Sequence, residues 1–154
     1  MVELHKNLVN LGNSAVNKPL YEQSTVNPGF LEWFPSPFSL DNKNGVDGHL
    51  HIEFPEFSST CPKTGQPDSA NIIIDYIPDE RCVESKSLKL YFFSFRNYGC
   101  FMEAITNMIC NDLVDLLQPK WIKVTGKFAA RGGLPLHPTA EWCKDSGVKT
   151  AQKE

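Results

Sequence analysis

The hydrophobic pattern of the chain predicts four strands. Polar and apolar residues alternate over residues 49–54, which is the period of a half-buried strand. Residues 72–77 are mostly β-branched and are followed by Pro78, so they predict a second strand. Alternation returns over residues 121–128, and a further short strand is predicted within residues 134–138.

Two segments between these strands carry apolar residues at helical spacing. The first helix is predicted to begin at Glu84 or Ser85, either of which is placed to cap its N-terminus, and to be broken by residues 97–99. The second helix is predicted over residues 101–117 and stops before Pro119, because proline cannot continue a helix.

The order strand, strand, helix, helix, strand, strand predicts an α+β fold with both helices on one face of an antiparallel sheet. Residues 48–140 are assigned to this domain. Residues 1–47 are rich in Asn, Ser, Pro and Gly and are expected to form an arm. Its apolar segment 30–34 is expected to pack on the domain or on a neighbouring subunit. Residues 141–154 are expected to form a C-terminal tail.

Length and composition restrict the class of protein. A chain of 154 residues is large enough for one domain with its own core. The net charge of −3 does not indicate a nucleic-acid partner, and no apolar run is long enough to span a membrane. The five cysteines are irregularly spaced and form no C-x-x-C pair, so neither a disulfide framework nor a metal site is expected. The N-terminus lacks a secretory signal pattern, so a cytoplasmic location is expected.

Cys61 is the side chain most suited to covalent chemistry. Its neighbours are hydroxyls, prolines, a glycine and Lys63, whereas an inert structural cysteine usually lies among apolar residues. The thiol is therefore expected at a surface or in a cleft, where hydroxyl and backbone N–H donors and a cation such as Lys63 favour the thiolate. Asp68 follows in a loop stiffened by proline, which suits the pair to act as nucleophile and proton donor. Alone, one cysteine near one aspartate is a weak signal, and composition favours an ordinary loop with an incidental cysteine.

A second motif gives the pair a specific meaning. Residues 84–91 read Glu-Ser-Lys-Ser-Leu-Lys-Leu-Tyr, and residues 61–68 read Cys-Pro-Lys-Thr-Gly-Gln-Pro-Asp. Together they resemble the NADPH-dependent 7-cyano-7-deazaguanine reductases, the nitrile reductases of queuosine biosynthesis. The resemblance runs from about Leu31 to Pro138 and includes the segments 94–97, 101–103 and 131–133.

The resemblance implies a fold, an assembly and a reaction. The fold is the tunnelling fold shared with GTP cyclohydrolase I, in which the sheets of several subunits join edge to edge into a barrel-like ring. The assembly is a homo-oligomer, a decamer of two pentamers with sites at subunit interfaces. The reaction reduces the nitrile of 7-cyano-7-deazaguanine to 7-aminomethyl-7-deazaguanine with NADPH, for tRNA modification. It proceeds through a thioimide on Cys61, with Asp68 as the proton donor.

The resemblance also assigns binding roles, although each residue has a plainer interpretation. Lys86 and Lys89 fit a solvated helix face as well as a phosphate site at a helix N-terminus, and Glu103 fits compensation of a helix dipole. The implied substrate-binding residues are Glu103, Glu84, Ser85 and Met102. The implied cofactor-binding residues are Lys86, Ser87, Lys89, Arg131 and Gly132.

Met102 departs from the family, whose reductases usually carry histidine before this glutamate. Methionine cannot donate a proton or hydrogen-bond strongly. Two alternatives to the reductase therefore stay open. One is an amidine-forming relative in which ammonia attacks the thioimide, against which Lys86 and Lys89 argue, because such a transferase needs no dinucleotide site. The other is a non-catalytic protein that binds the nitrile base covalently.

Overall fold

The computed structural model describes residues 25–144, and the expected arm and tail lie partly outside it, at 1–24 and 145–154. In chain order the described elements are a 3-10 helix (Pro28–Phe30), β1 (Trp33–Pro35), α1 (Pro37–Leu40), β2 (Leu50–Thr60), β3 (Pro67–Ile77), β4 (Arg81–Val83), α2 (Ser85–Phe93), α3 (Met102–Leu117), β5 (Trp121–Arg131), β6 (Leu134–Leu136) and β7 (Thr139–Cys143). The α+β class predicted from the sequence is confirmed.

Five of these strands form one antiparallel sheet. β3 lies between β2 and β5, and the other side of β5 pairs first with β7 and then with β6. Trp121 of β5 is paired with Cys143, so the sheet continues past the domain boundary expected at residue 140. β2 is the opposite edge of the sheet.

Both long helices pack on the sheet, as the apolar periodicity predicts. α3 packs on β5 and β7, and α2 packs on β2. Ile105, Ile109 and Leu113 are completely buried on the inner side of α3, where they join the aliphatic side chains of β3 and β5 in one core. The start of α2 is fixed by Glu84, whose carboxylate accepts the backbone N–H groups of Lys86 and Ser87.

The two strands on either side of Cys61 are longer than the hydrophobic pattern indicates. β2 continues to Thr60 and β3 begins at Pro67, so the connection between them is only residues 61–66. A register shift between Phe54 and Phe57 interrupts the alternation and conceals the second half of β2. The longer strands hold both ends of the connection in the sheet.

The described part of the arm packs on the domain of its own chain. β1 pairs with β4, Leu31 is buried in the core, and the backbone N–H of Glu84 donates to the carbonyl of Glu32. The apolar segment 30–34 is only partly covered, because Trp33 and Phe34 keep 45% and 43% of their surface exposed.

Candidate active site

Cys61 begins a tight turn that joins β2 to β3. Its backbone N–H donates to the carbonyl of Gln66 at 2.8 Å, and its carbonyl accepts the N–H of Gly65 at 2.9 Å. Gly65 has φ +69°, a conformation that favours glycine. Cys61 keeps only 7% of its surface exposed, so it is more enclosed than its polar neighbours predict. The turn folds over the thiol and brings donors to it.

The hydrogen bonds of this turn lower the pKa of the Cys61 thiol from 9.0 to about 7. The largest cause is the Thr64 hydroxyl, followed by the backbone N–H groups of Lys63 and Thr64; burial opposes them, and a hydrogen bond from Arg131 adds a smaller contribution. The expectation that the Lys63 side chain supplies the cation is therefore wrong, because Lys63 acts through its backbone and Arg131 is the cation. Burial raises the pKa of Cys110 to about 11, as is typical of an inert core cysteine.

Asp68 is buried in β3 and is bound by Arg131. The Nε of Arg131 donates to Oδ1 of Asp68 at 2.6 Å, and Nη2 donates to Oδ2. Asp68 is 3% exposed, while the Arg131 side chain is 34% exposed. The structure thus brings Cys61, Asp68 and Arg131 together, whereas the sequence placed Arg131 with the cofactor residues.

A second segment joins the start of α3 to the Cys61 turn. The N–H of Thr60 donates to the carbonyl of Tyr98, and the carbonyl of Thr60 accepts the N–H of Cys100, both at 3.1 Å. This parallel bridge pairs Thr60 with Gly99, where a Cβ atom would lie in ordinary contact with the Cα of Pro62, at 3.5 Å. The sequence shows residues 97–99 merely as a helix break, because a contact between distant segments leaves no local signal.

The bridge determines where the predicted substrate residues lie. Glu103 is exposed in the first turn of α3, shortly after the bridge. Met102 is 8% exposed and belongs to the hydrophobic core, and Phe101 before it is 56% exposed. Of these three side chains, Phe101 and Glu103 are therefore accessible beside the Cys61 turn, and Met102 is not.

The predicted cofactor residues of α2 fall into two groups. Lys86 and Lys89 are exposed, and within residues 25–144 neither ammonium takes part in an ion pair. Ser87 is buried, where its hydroxyl donates to the carbonyl of Glu84 at 2.7 Å and accepts the N–H of Glu32 at 3.0 Å. Its side chain therefore fixes the arm to α2. The hydrogen bonds to the backbone of Lys86 and Ser87 lower the pKa of Glu84.

Two cavities border α2. The larger, about 380 Å³, lies between α2 and the first half of β2, and its wall is mainly apolar with Ser85 and Lys89 among its residues. The smaller, about 230 Å³, is lined by Lys86, Glu84 and Glu32 among others. An apolar slot next to two exposed ammonium groups suits a ring and the phosphates of a dinucleotide, so these residues fit NADPH.

These cavities do not reach Cys61 within one chain. The larger cavity borders residues 50–54 of β2, whereas Cys61 follows the far end of that strand. At the rise of an extended strand, the separation between Phe54 and Cys61 is roughly 20 Å. We call Cys61, Asp68 and Arg131 together the Cys61 group. This group and the lysines of α2 therefore form two separate parts of the chain. Gly132, in the turn after β5, lies next to the Cys61 group.

Within residues 25–144, no helix combines the length and apolarity that a membrane span needs, and no cluster of His, Cys, Asp and Glu is arranged to hold a metal ion. All five cysteines of the chain lie in this range and are free thiols.

The comparisons with known proteins agree on one family. Residues 67–146 match the family model described as QueF-like protein. Proteins named NADPH-dependent 7-cyano-7-deazaguanine reductase from Methylobacillus flagellatus and Bacillus subtilis are 53% and 51% identical to the chain. The alignments cover 80% and 87% of this chain and 89% and 76% of those proteins, respectively.

A solved structure has a similar fold. The crystal structure of the archaeosine synthase QueF-Like in the apo form superimposes with a TM-score of 0.56, over 66% of this chain and 97% of that one. At 22% sequence identity, this similarity concerns the fold alone.

Proposed function

Because the chain belongs to the family of QueF-like proteins, we propose that it reduces the nitrile of 7-cyano-7-deazaguanine to the primary amine with NADPH. The observation that carries this proposal is the Cys61 group, in which a thiol with a pKa of about 7 lies beside a buried carboxylate. A nitrile carbon is a weak electrophile, and a thiolate available at neutral pH is the nucleophile that activates it.

In the first step the Cys61 thiolate attacks the nitrile carbon. A carbon–sulfur bond forms, one π pair of the nitrile moves to nitrogen, and this nitrogen takes a proton from Asp68 to give a thioimide. Asp68 must therefore carry a proton when the Cys61 thiolate attacks. In the resting chain, Arg131 donates to both carboxyl oxygens of Asp68. Its guanidinium must therefore move away from at least one carboxylate oxygen before Asp68 acts as an acid.

When bound, NADPH supplies the hydride for each of the two reductions from nitrile to amine. The exposed ammonium groups of Lys86 and Lys89 would hold its phosphates, and the apolar cavity between α2 and β2 would take one of its rings. Glu103 accepts hydrogen bonds from the guanine-like edge of the base.

We further propose that complete sites form between subunits. The α2 cavity and Cys61 lie at opposite ends of β2, which supports this proposal. In the assembly, the α2 surface of one subunit lies next to the Cys61 group of another and completes its site. We propose in addition that the subunits assemble into a ring of paired pentamers. We also propose that the product is used in tRNA modification.

The test combines NADPH oxidation with intact-protein mass spectrometry. The native protein is expected to oxidise NADPH only when the nitrile is present and, without NADPH, to gain the mass of the nitrile on Cys61. Cys61→Ala should do neither. Cys100→Ala is the matched control, because it removes a thiol from the segment bridged to the same turn and should leave both signals intact.

Other results would identify the alternatives. An adduct without NADPH oxidation indicates a covalent binder, and an adduct consumed by ammonium indicates an amidine-forming enzyme. No mass gain, or a gain on Cys82 or Cys110, contradicts the thioimide.

A further inference from the structure

Ser59 is a buried polar residue next to the reactive pair. It lies on β2 and is paired across the sheet with Asp68 of β3. Only 1% of its surface is exposed, and its Oγ has no hydrogen-bond partner among residues 25–144. A buried hydroxyl without a partner is unfavourable and uncommon. A different protonation state of a neighbouring group could supply the missing partner.

The nearest candidate for that partner is the Asp68 carboxyl group. Directly paired residues of antiparallel strands project to the same face, with Cβ atoms about 4.5–5.5 Å apart. The burial of both side chains shows that this face is the covered one. A serine hydroxyl therefore has the reach to donate to a carboxyl oxygen of Asp68.

The protonated form of Asp68 needs a partner of this kind. The carboxylate is held by the Arg131 guanidinium, but a protonated carboxyl group is neutral and loses that charge-assisted pairing. It then has one O–H donor and one accepting oxygen. A neutral donor on the covered side of the sheet satisfies the accepting oxygen and leaves the O–H free to point to substrate.

We propose that Ser59 is a positioning residue for Asp68. Its hydroxyl donates to the accepting oxygen of protonated Asp68 and aims the acidic O–H at the nitrile nitrogen while the Cys61 thiolate attacks the nitrile carbon. The carbon–sulfur bond forms, a π pair moves to nitrogen, and the Asp68 proton is transferred there. Asp68 returns to a carboxylate, which Arg131 binds again. This role rests on the thioimide chemistry proposed above and uses no cofactor.

The test measures the rate of adduct formation without NADPH, by intact-protein mass spectrometry, in Ser59→Ala and Ser36→Ala. The Ser36 Oγ is also buried without a partner, but it lies before α1 and outside the Cys61 group. Both substitutions remove an unsatisfied hydroxyl, so neither should lower the thermal stability. Ser59→Ala is expected to slow adduct formation by at least about tenfold, the effect of one lost hydrogen bond to an acid, and Ser36→Ala to leave it unchanged.

Two further measurements separate positioning from a general disturbance. Alkylation of Cys61 by iodoacetamide should be as fast in Ser59→Ala as in the native chain, because the donors to the thiol are untouched. In an Asp68→Asn background, Ser59→Ala should cause no additional loss, because Ser59 acts through the acid.

The proposal is overturned if native protein forms the adduct and Ser59→Ala matches Ser36→Ala. It is also overturned if the loss persists in Asp68→Asn or if alkylation slows in parallel. If the native chain forms no adduct at all, the proposed function fails first and the role of Ser59 fails with it.

Discussion

Arg131 is bound to both oxygens of Asp68 and also donates a hydrogen bond to Cys61. One guanidinium thus serves two groups that the reaction needs in different protonation states. It donates to Cys61, which favours the thiolate and so attack. It also occupies both carboxyl oxygens of Asp68, which keeps them from the substrate. In the resting chain, the Cys61 thiol is therefore ready to attack, whereas Asp68 is not yet free to donate a proton.

Thr64→Val is expected to raise the pKa of Cys61 from about 7 toward its ordinary value, because the Thr64 hydroxyl is the largest cause of the lowered pKa. At neutral pH the thiolate fraction falls, so iodoacetamide should react more slowly with Cys61. The rate is measured against pH, and its midpoint gives the pKa. Thr64→Ser keeps the hydroxyl and should keep the native midpoint. A native midpoint in Thr64→Val would assign the lowered pKa to the backbone donors and Arg131 alone.

The same pKa predicts how stability depends on pH. The thiol pKa is about 7 in the folded chain and 9.0 as the ordinary value, so folding favours the thiolate. This contribution is fully present above the ordinary pKa and is lost as the pH falls through the folded value. The difference in free energy of unfolding between the native chain and Cys61→Ser should therefore increase between about pH 6 and pH 9. Denaturant unfolding at both ends of this range measures it, and a constant or decreasing difference contradicts the prediction.

Replacement of Lys86 and Lys89 by alanine is expected to raise the Michaelis constant for NADPH by about a hundredfold or more. Each charged contact to a phosphate contributes about 1.5–3 kcal/mol, and both would be lost. Adduct formation, which needs no cofactor, should be unchanged.

The control for this pair is the double variant Lys120→Ala and Lys144→Ala, which removes the same charge from lysines paired with Asp47 and Asp79. If both double variants change the Michaelis constant equally, the effect is one of net charge and α2 is not the phosphate site.

The helices were predictable because their signals are local. The N-cap at Glu84 and the proline after α3 mark helix ends within a few residues of sequence. The second half of β2 was not predictable, because the register shift between Phe54 and Phe57 breaks the alternation. The serines and threonine that follow are typical of loops as well as of strands.

Only the site residues that belong to the sequence motifs could be grouped from the sequence. Cys61 and Asp68 share one short segment, and the structure brings them into one group. Thr64 donates to Cys61 through a turn whose geometry the sequence does not specify. Arg131 was expected among phosphate contacts, because nothing in its own segment shows that β5 places it beside Asp68.

Met102→His tests the departure from the family. If a histidine there relays a proton between the two hydride steps, the native chain forms the thioimide readily but reduces it slowly, and the substitution speeds reduction by about a hundredfold. Single-turnover reduction of the preformed adduct by NADPH measures this. Because Met102 is buried, the new imidazole is expected to lower the free energy of unfolding by about 1–3 kcal/mol.

Met102→Leu is the control for packing, since it conserves volume and adds no polar atom. It should leave both stability and reduction near native values. If the native chain already reduces the adduct rapidly and Met102→His slows it, methionine acts as a hydrophobic filler and the relay is supplied elsewhere.

The ion pair between Asp68 and Arg131 also has a consequence for biosynthesis. The two residues are 63 positions apart, and the whole of α2 and α3 lies between them. During translation, the β2–β3 hairpin with its cysteine leaves the ribosome well before β5 does, and domains generally complete their folding as units. A nascent or truncated chain therefore has Cys61 and Asp68 without the cation that orients them. The donors that lower the pKa of Cys61 most lie within the hairpin itself, whereas the Asp68–Arg131 pair forms only when β5 joins the sheet. An unfinished chain therefore has the nucleophile without the positioned acid.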